Sequence, residues 1–386
     1  MKKITVITLF LIPFLCLSQE AVHNFGNLKI HNTGAIGFHH HLINDGFTDD
    51  NRGVAGFFSD ESITISGALK PVFHDMEIMV ADHLFLDVSV GVTHNTNFIL
   101  GDLITPRNLR DITLEYNQNA FYNGDANDTK IDGYSSTFNR TNFTFPIGHE
   151  AALRPLGIET SIPLTNARSA YFFENPNTPS TFTESFDTKN RDNELALISE
   201  IEFWDIDCDI PSQVRLTWNE TSQVGNYVFD IEELRVVGWH TANEQWENLG
   251  NTLHKGGFFS GIIISDTFIP DDYTVITLGG ILTENTTTAP GVLSNYLITP
   301  NNDGVNDFLV LKEIDLNESP NNILKIHNRW GRLVFSENNY KNSFDGKANT
   351  NTFIGEDKTL PSGLYFYTIE LFDIDTIHQG YLYINE

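Results

Sequence analysis

Three aspartates alternate along one apolar stretch in the middle of the chain: Asp205, Asp207 and Asp209. Because successive residues of a strand point to opposite faces, the three carboxylates are predicted to share one face, with Trp204 and Cys208 on the other. Like charges at this spacing repel, so such a face is either solvated or holds a cation. We expect a solvated face.

A polysaccharide-active hydrolase is the enzymatic alternative for this stretch. That chemistry needs two carboxyl groups across a cleft in unequal environments, and nothing marks a second partner here. The sequence also contains no G-x-S-x-G elbow, no H-E-x-x-H, no P-loop and no G-x-G-x-x-G between a strand and a helix. We therefore expect a protein that is not an enzyme.

Tryptophans in the same region allow two interpretations. They are Trp204, Trp218, Trp239 and Trp246. Aromatic faces bind pyranose rings, so a carbohydrate-binding platform is one of them. Tryptophans on strands are more often core residues, and the alternation from Val214 to Trp218 buries Trp218. We expect core positions, with Trp246 the most exposed because Gln245 and Glu247 flank it.

A run of three histidines, His39 to His41, is a candidate metal ligand set. On a strand only His39 and His41 share a face, so a metal would need a carboxylate from the following turn, such as Asp45. No established ligand spacing is present, and we expect an exposed polar turn. His74, His83 and His94 recur at comparable intervals, which indicates a repeat period rather than a buried cluster.

A second candidate site for a metal lies in the stretch NNDGVND. Asn301, Asp303 and Asp307 offer hard oxygen ligands at short odd spacing around a glycine, as calcium loops often do. The full loop that ends in a bidentate glutamate is missing, and Asx-Gly runs are also ordinary turn formers. No cofactor is expected, and Ca²⁺ remains the alternative.

Length and composition limit the number of domains that can hold these side chains and the classes of partner that the protein can bind. The 386 residues suit two or three domains, and 40% hydrophobic content is ample for folded cores. The formal charge of −28 would repel phosphate backbones, so nucleic acid is excluded as a partner class.

The first residues are typical of a secretory signal peptide, predicted at 1–18. Lys2 and Lys3 precede an apolar run that is too short to span a bilayer comfortably, and a cut is expected after Ser18. No later stretch is predicted to span a membrane. After cleavage Cys208 is the one cysteine left, which excludes an internal disulfide, and we expect it to be a core residue.

The rest of the chain is predicted to be all-β. Residues 19–118 contain very short apolar pieces separated by Gly, Asn, Asp and Thr, which indicates a β-solenoid-like region. Residues 119–280 have longer, more widely spaced strands and indicate a β-sandwich. Residues 281–293, with ILTENTTTAPG, are predicted to be a linker. The phrase LFLDVSVGVTHNTNFILGD and the central strands resemble segments of exported Bacteroidetes proteins.

Residues 294–386 contain five ordered motifs. They are ITPNNDGVND at 298–307, IHNRWGRLVF at 326–335, FDG at 344–346, LPSGLYFY at 360–367 and GYLYIN at 380–385. Residue types predict that Ile326, Trp330, Leu333 and Phe335 fill a core while Gly331 turns a hairpin.

The five motifs resemble the gliding motility-associated C-terminal domain, the type B sorting domain of the Bacteroidetes type IX secretion system. Phe344 stands where that family usually has Trp, and Asn302 where it often has Gly. The resemblance implies an Ig-like β-sandwich that is recognised by the secretion machinery of the outer membrane. It assigns these residues to the sorting signal: Pro300, Asn301, Asp303, Gly304, Asp307, Asn328, Arg329, Trp330, Gly331, Asp345, Gly346 and Gly363.

The sequence as a whole therefore predicts an exported protein, at the cell surface or released from it, with a structural or adhesive role. The alternatives are a secreted carbohydrate-binding module, with surface glycans as partners, and a polysaccharide-active hydrolase that uses the central domain.

Overall fold

The computed structural model describes residues 20–385 except for 229, 283–290, 293–295, 302–303, 312–313, 315, 317–318, 351–357 and 375. The predicted signal peptide and most of the predicted linker lie outside the described residues. The all-β prediction and the N-terminal solenoid are confirmed.

Short strands, most of them rich in β-branched and aromatic residues, make up the N-terminal half. They are β1 (Ala21–Asn24), β2 (Ala35–Phe38), β3 (His41–Asn44), β4 (Val54–Ser59), β5 (Ile63–Ser66), β6 (Val72–Val80), β7 (Leu84–Leu86), β8 (Val90–Leu100), β9 (Leu103–Ile104), β10 (Leu114–Tyr116), β11 (Phe121–Asn123), β12 (Ile131–Asp132), β13 (Ser135–Thr137), β14 (Asn142–Phe145), β15 (Ile147–His149), β16 (Ala152–Leu153), β17 (Leu156–Thr160) and β18 (Ala167–Phe172).

The remaining strands are on average longer. They are β19 (Leu195–Ile198), β20 (Phe203–Asp207), β21 (Ser212–Trp218), β22 (Leu234–His240), β23 (Gln245–Asn248), β24 (Leu253–Gly257), β25 (Ser260–Ile264), β26 (Tyr273–Ile281), β27 (Gly291–Val292), β28 (Tyr296–Ile298), β29 (Asn322–Asn328), β30 (Leu333–Asn338), β31 (Gly363–Leu371) and β32 (Thr376–Ile384).

Four single 3-10 turns are the helices in the described part of the chain: Glu220–Ser222, Val224–Asn226, Ile231–Glu233 and Pro270–Asp272. None of them approaches the length that a membrane-spanning helix needs.

Two parallel ladders form the solenoid. Sheet 1 has the order β1-β3-β5-β7-β9-β12-β15-β16, in which only the last pair, β15 with β16, is antiparallel, and sheet 2 begins β2-β4-β6-β8-β10-β13. Ala21 lies opposite His41, one coil of 20 residues away. The parallel stacking continues through β13 and β15, past residue 118, where the sequence places the end of the solenoid-like region.

The core of the solenoid lies between the two ladders. Phe38, Phe57, Ile78 and Phe98 stand in register on four successive coils, and all are buried. The Phe38 and Phe57 rings stack with their centroids 5.0 Å apart. Alternate side chains of each short strand therefore fill one narrow, continuous core.

Sheet 2 continues from the solenoid into the central domain without interruption. β13 pairs antiparallel with β18, and the order then runs β18-β20-β26-β22-β23. Sheet 3, with the order β14-β17-β21-β25-β24, faces this antiparallel half. Leu216 of sheet 3 and Ile276 of sheet 2 belong to the same core cluster as the solenoid residues, so one core runs through both parts.

The C-terminal region has its own sheet and its own core. Sheet 4 has the order β27-β32-β31-β29-β30, with β28 also on β32. Ile326, Tyr367 and Leu382 are central to a cluster separate from the first. Phe344 is fully buried and packs on Phe335 with ring centroids 4.7 Å apart, so the phenylalanine fills an apolar position.

Candidate functional site

Asp205 does not lie on a solvated face. Its side chain is 1% exposed and accepts hydrogen bonds from Arg110 Nη2 at 2.6 Å and from the Tyr134 hydroxyl at 2.5 Å. Arg110 comes from the loop between β9 and β10, 95 residues away in sequence. The prediction of a solvated carboxylate face was wrong because the end of the solenoid covers this part of β20.

The two other aspartates of the alternating run differ from Asp205. Asp207 is half-buried and bonds both Arg110 Nη2, at 2.7 Å, and Arg168. Arg168 stands directly opposite Asp207 on β18. Asp209 is exposed, and Cys208 is buried in the core as predicted. Two arginines thus neutralise the inner carboxylates, and the network joins the solenoid to the sandwich.

A cleft of about 690 Å³ opens beside this network, flanked by Arg168, Glu184 and Asp271. Burial raises the pKa of the Asp271 carboxyl, whereas the hydrogen bond from the Cys208 N–H opposes the shift. Burial also raises the pKa of the Cys208 thiol, which keeps it protonated and unreactive.

Asp205 is expected to make stability depend on pH. Desolvation raises its pKa from 3.8 to about 6, against the opposing effect of Arg110. Between these values the folded state keeps a proton that the unfolded state has released, so the contribution of Asp205 to stability falls as pH rises from about 4 to about 6. Asp205→Asn should flatten this slope in urea-unfolding midpoints. An unchanged slope would contradict the shift.

All four central tryptophans are buried. Trp204 and Trp218 lie in the core shared with the solenoid, and Trp239 and Trp246 lie in a cluster on the outer face of sheet 2. The expectation that Trp246 is the most exposed was wrong. Residues 182–195 fold over it, and its Nε1 donates to the Phe186 carbonyl at 3.3 Å. None of these rings presents a face to a sugar.

The candidate metal pair of His39 and His41 does not converge. His39 contacts the Phe58 carbonyl through Nδ1 at 3.1 Å, whereas His41 Nδ1 accepts from the Thr64 N–H at 3.0 Å. Asp45 pairs instead with His23. Within the described residues, the one group of three side chains that could hold a metal is His74, Asp75 and His94. The sequence signal for it was present, as the 20-residue spacing of the two histidines with an adjacent aspartate.

The calcium hypothesis concerns the loop after β28. Gly304 has a φ of +90°, and its N–H donates to Asp307 Oδ2 at 2.8 Å. The Thr299 N–H donates to the Asn306 carbonyl at 2.7 Å and closes the loop. Asp303 lies outside the described residues, so calcium binding by Asn301, Asp303 and Asp307 stays an untested alternative.

The hairpin between β29 and β30 carries four of the assigned sorting residues. Asn328 Oδ1 accepts from the Trp330 N–H at 3.0 Å and from the Arg332 N–H at 3.1 Å, and Gly331 has a φ of +71°. Trp330 is 68% exposed, with the Arg329 guanidinium 4.4 Å from its ring centroid. The prediction that Trp330 fills the core was wrong, because it stands on the turn and not on a strand. Leu333 is half-buried, and Ile326 and Phe335 are buried as predicted.

Several sorting residues meet at one end of sheet 4. Asn328 pairs with Tyr365, and Gly363 and Ile298 both pair with Ile384, which aligns the ends of β28, β29, β31 and β32. A Cβ on Gly346, whose φ is +80°, would lie 2.9 Å from Pro300 Cγ, so these two motifs touch. Asp345 pairs with Lys347 at 3.0 Å.

One rung of sheet 4 packs against the central sandwich. His327, Phe366 and Tyr381 stand in register. Phe366 lies 5.5 Å from Phe258 between ring centroids, and the Tyr381 hydroxyl donates to Asn226 Oδ1 at 2.9 Å. Beside this contact a cleft of about 730 Å³ is lined by Arg329 and Trp330 on one side and by residues 219–221 on the other.

Comparison with known proteins identifies this C-terminal unit alone. No curated protein and no solved structure matches the chain. The family model described as the CHU_C type IX secretion signal domain matches residues 292–384. That range contains sheet 4 except for Gly291, together with the separate core and all twelve assigned sorting residues. Residues 292–384 therefore belong to the type IX secretion signal domain family, and they mark the chain for export to the cell surface or beyond.

Proposed function

We propose that this protein is a non-enzymatic structural or adhesive component of the cell surface, delivered by the type IX secretion machinery through its C-terminal domain. The observation that carries the proposal is the attachment of a secretion signal domain to a solenoid and sandwich that share one core. Such a body is a rigid, extended β structure, which suits a spacer or a contact surface.

The interior of the central domain supports this proposal over its alternatives. A hydrolase that cleaves polysaccharides needs one carboxyl group free to give a proton and a second free to act as base or nucleophile. Here Asp205 and Asp207 are both paired with arginines. A carbohydrate-binding module needs accessible aromatic faces, whereas the four central tryptophans are buried.

Deleting residues 295–386 tests the route of delivery. In a bacterium with a type IX system, the full chain should reach the surface and be cut by protease added to intact cells. The truncated chain should stay in the periplasm, protected from that protease. Surface exposure of the truncated chain would contradict the assignment.

Misfolding of the truncated chain is the alternative cause of retention. Its core is separate from that of the deleted domain, so the purified truncated chain should keep a β-type circular dichroism spectrum and unfold cooperatively. The purified full chain should neither turn over polysaccharides nor bind glycans selectively on an array. Turnover or selective binding would replace the structural role with one of the alternatives.

A further inference from the structure

The two coils that carry His74 and His94 are not paired evenly. On β6 and β8, Phe73 lies opposite Val92, and Asp75 lies opposite Asn95. β8 therefore has one more residue than β6 between these points, which is a β-bulge. Bulges bend a strand and redirect side chains, and they are common next to functional sites. Here the bulge contains His94.

β6 also changes the direction of its side chains at this point. Phe73 and Met76 are both fully buried, so the two residues between them, His74 and Asp75, are left on the outer side. His94 is exposed, and its ring stacks on that of His74 with the centroids 4.8 Å apart and an angle of 12° between the planes. The irregularity of both strands thus gathers three polar side chains on the surface of the solenoid.

The hydrogen bond of His94 determines which ring nitrogen is free. His94 Nδ1 lies 2.6 Å from Asp75 Oδ1. An ionised carboxylate only accepts hydrogen bonds, so Nδ1 carries the proton and donates it. The lone pair of the neutral ring is then on Nε2. A carboxylate behind a histidine ring in this way is the usual support of a metal-binding imidazole.

The hydrogen-bond partner of His74 also places the ring proton on Nδ1. His74 Nδ1 lies 3.1 Å from Thr93 Oγ1, and the Thr93 hydroxyl donates to the Phe73 carbonyl at 3.3 Å. With its proton engaged, the hydroxyl oxygen is left to accept from His74 Nδ1. Both rings therefore carry the proton on Nδ1 and have a free lone pair on Nε2.

We propose that His74 and His94 bind a divalent transition-metal ion through Nε2 on the face of the solenoid, with Asp75 supporting the His94 ring from behind. One ligand atom from each of the three side chains lies within 4.8 Å of the other two. The two ring centroids are 4.8 Å apart, whereas nitrogen ligands on one tetrahedral zinc ion are about 3.3 to 3.5 Å apart, so the rings must tilt towards each other to bind one ion. The His94 side chain is 50% exposed, which leaves room for that movement.

Ligand chemistry determines the class of metal. Neutral imidazole suits Zn²⁺, Cu²⁺ and Ni²⁺, whereas Ca²⁺ and Mg²⁺ prefer oxygen ligands throughout. Asp75 accepts the Nδ1 proton of His94, so it supports the ring from the side opposite Nε2 and does not itself bind the ion. Two protein ligands leave coordination positions that water or groups from a binding partner fill.

Titration of the purified full-length protein with ZnCl₂ by calorimetry tests the site. His74→Ala and His94→Ala should each weaken zinc binding about tenfold or more, and Asp75→Asn by about 10- to 100-fold. His40→Ala is the matched control, because His40 is an exposed histidine on the same solenoid and outside the cluster. It should bind zinc as the unmodified chain does.

The double variant His74→Ala/His94→Ala decides the outcome. Zinc binding as tight as that of the unmodified chain would overturn the proposal. Cobalt gives a second readout, because Co²⁺ bound through two imidazoles should produce visible absorption bands that the double variant lacks. Circular dichroism and the metal-free unfolding midpoint of each variant show whether a loss of binding reflects the site or the fold.

Discussion

Replacing Arg154 with methionine should lower the free energy of unfolding of the central domain by about 3–5 kcal/mol. Arg154 is 2% exposed and Glu202 is fully buried, with Arg154 Nε 3.1 Å from Glu202 Oε2. The Tyr171 hydroxyl donates to the same oxygen at 2.6 Å. Methionine keeps much of the side-chain volume but leaves the Glu202 carboxylate buried without its counter-ion, and an unpaired buried charge is strongly destabilising.

Two further variants separate the charge effect from the packing effect. Arg154→Met/Glu202→Met should regain most of the lost stability, because removing both partners of a buried pair is often close to neutral. Arg215→Met is the surface control: Arg215 is exposed and bonds Thr144, and its loss should cost at most about 0.5 kcal/mol. Urea unfolding followed by tryptophan fluorescence measures all three. A similar cost for Arg154→Met and Arg215→Met would contradict the assigned role of the pair.

The second large effect on stability is expected at Trp246, which is buried, and it contrasts with Trp330, which is exposed. Trp246→Ala should cost about 3–5 kcal/mol, because the ring is fully buried and packs against Trp239 at 5.8 Å between centroids. Trp330→Ala should cost at most about 0.5 kcal/mol, because its ring is 68% exposed. Thermal unfolding of the two variants tests the pair, and the reverse order of stabilities would show that the two environments are wrongly assigned.

These two residues also show where prediction from sequence stops. Alternation along a strand correctly placed Trp218 and Cys208 in the core, because the period of two is a local property of the backbone. Trp246 was misplaced because its cover comes from Phe186, 60 residues away. Trp330 was misplaced because it lies in the turn next to Gly331, where its side chain is exposed to solvent. The hydrophobicity of tryptophan alone favoured a core position.

The fold was more predictable than its polar contacts. Short apolar runs at regular spacing predicted the solenoid, since every coil buries its alternate side chains in the same way. The partners of Asp205 and Asp207 were not predictable, because Arg110 reaches them only after the solenoid has closed against the sandwich. For His74 and His94 the repeat interval was visible, whereas the bulge that joins them to Asp75 appears only in the pairing of β6 with β8.

Because sheet 2 runs from the solenoid into the sandwich, the two ends of the solenoid should differ in how they unfold. The strands of each coil pair only with those of the coils before and after it, so the stability of the solenoid is approximately a sum of nearest-neighbour interfaces. At the C-terminal end, the β13 to β18 pairing ties the last coil to the sandwich. Unravelling at that end would break the sandwich too, whereas the β1 and β2 coil has neighbours on one side alone among the described strands. Among the described coils, unfolding is therefore expected to begin at the N-terminal coil, because the other end of the solenoid can open only together with the sandwich.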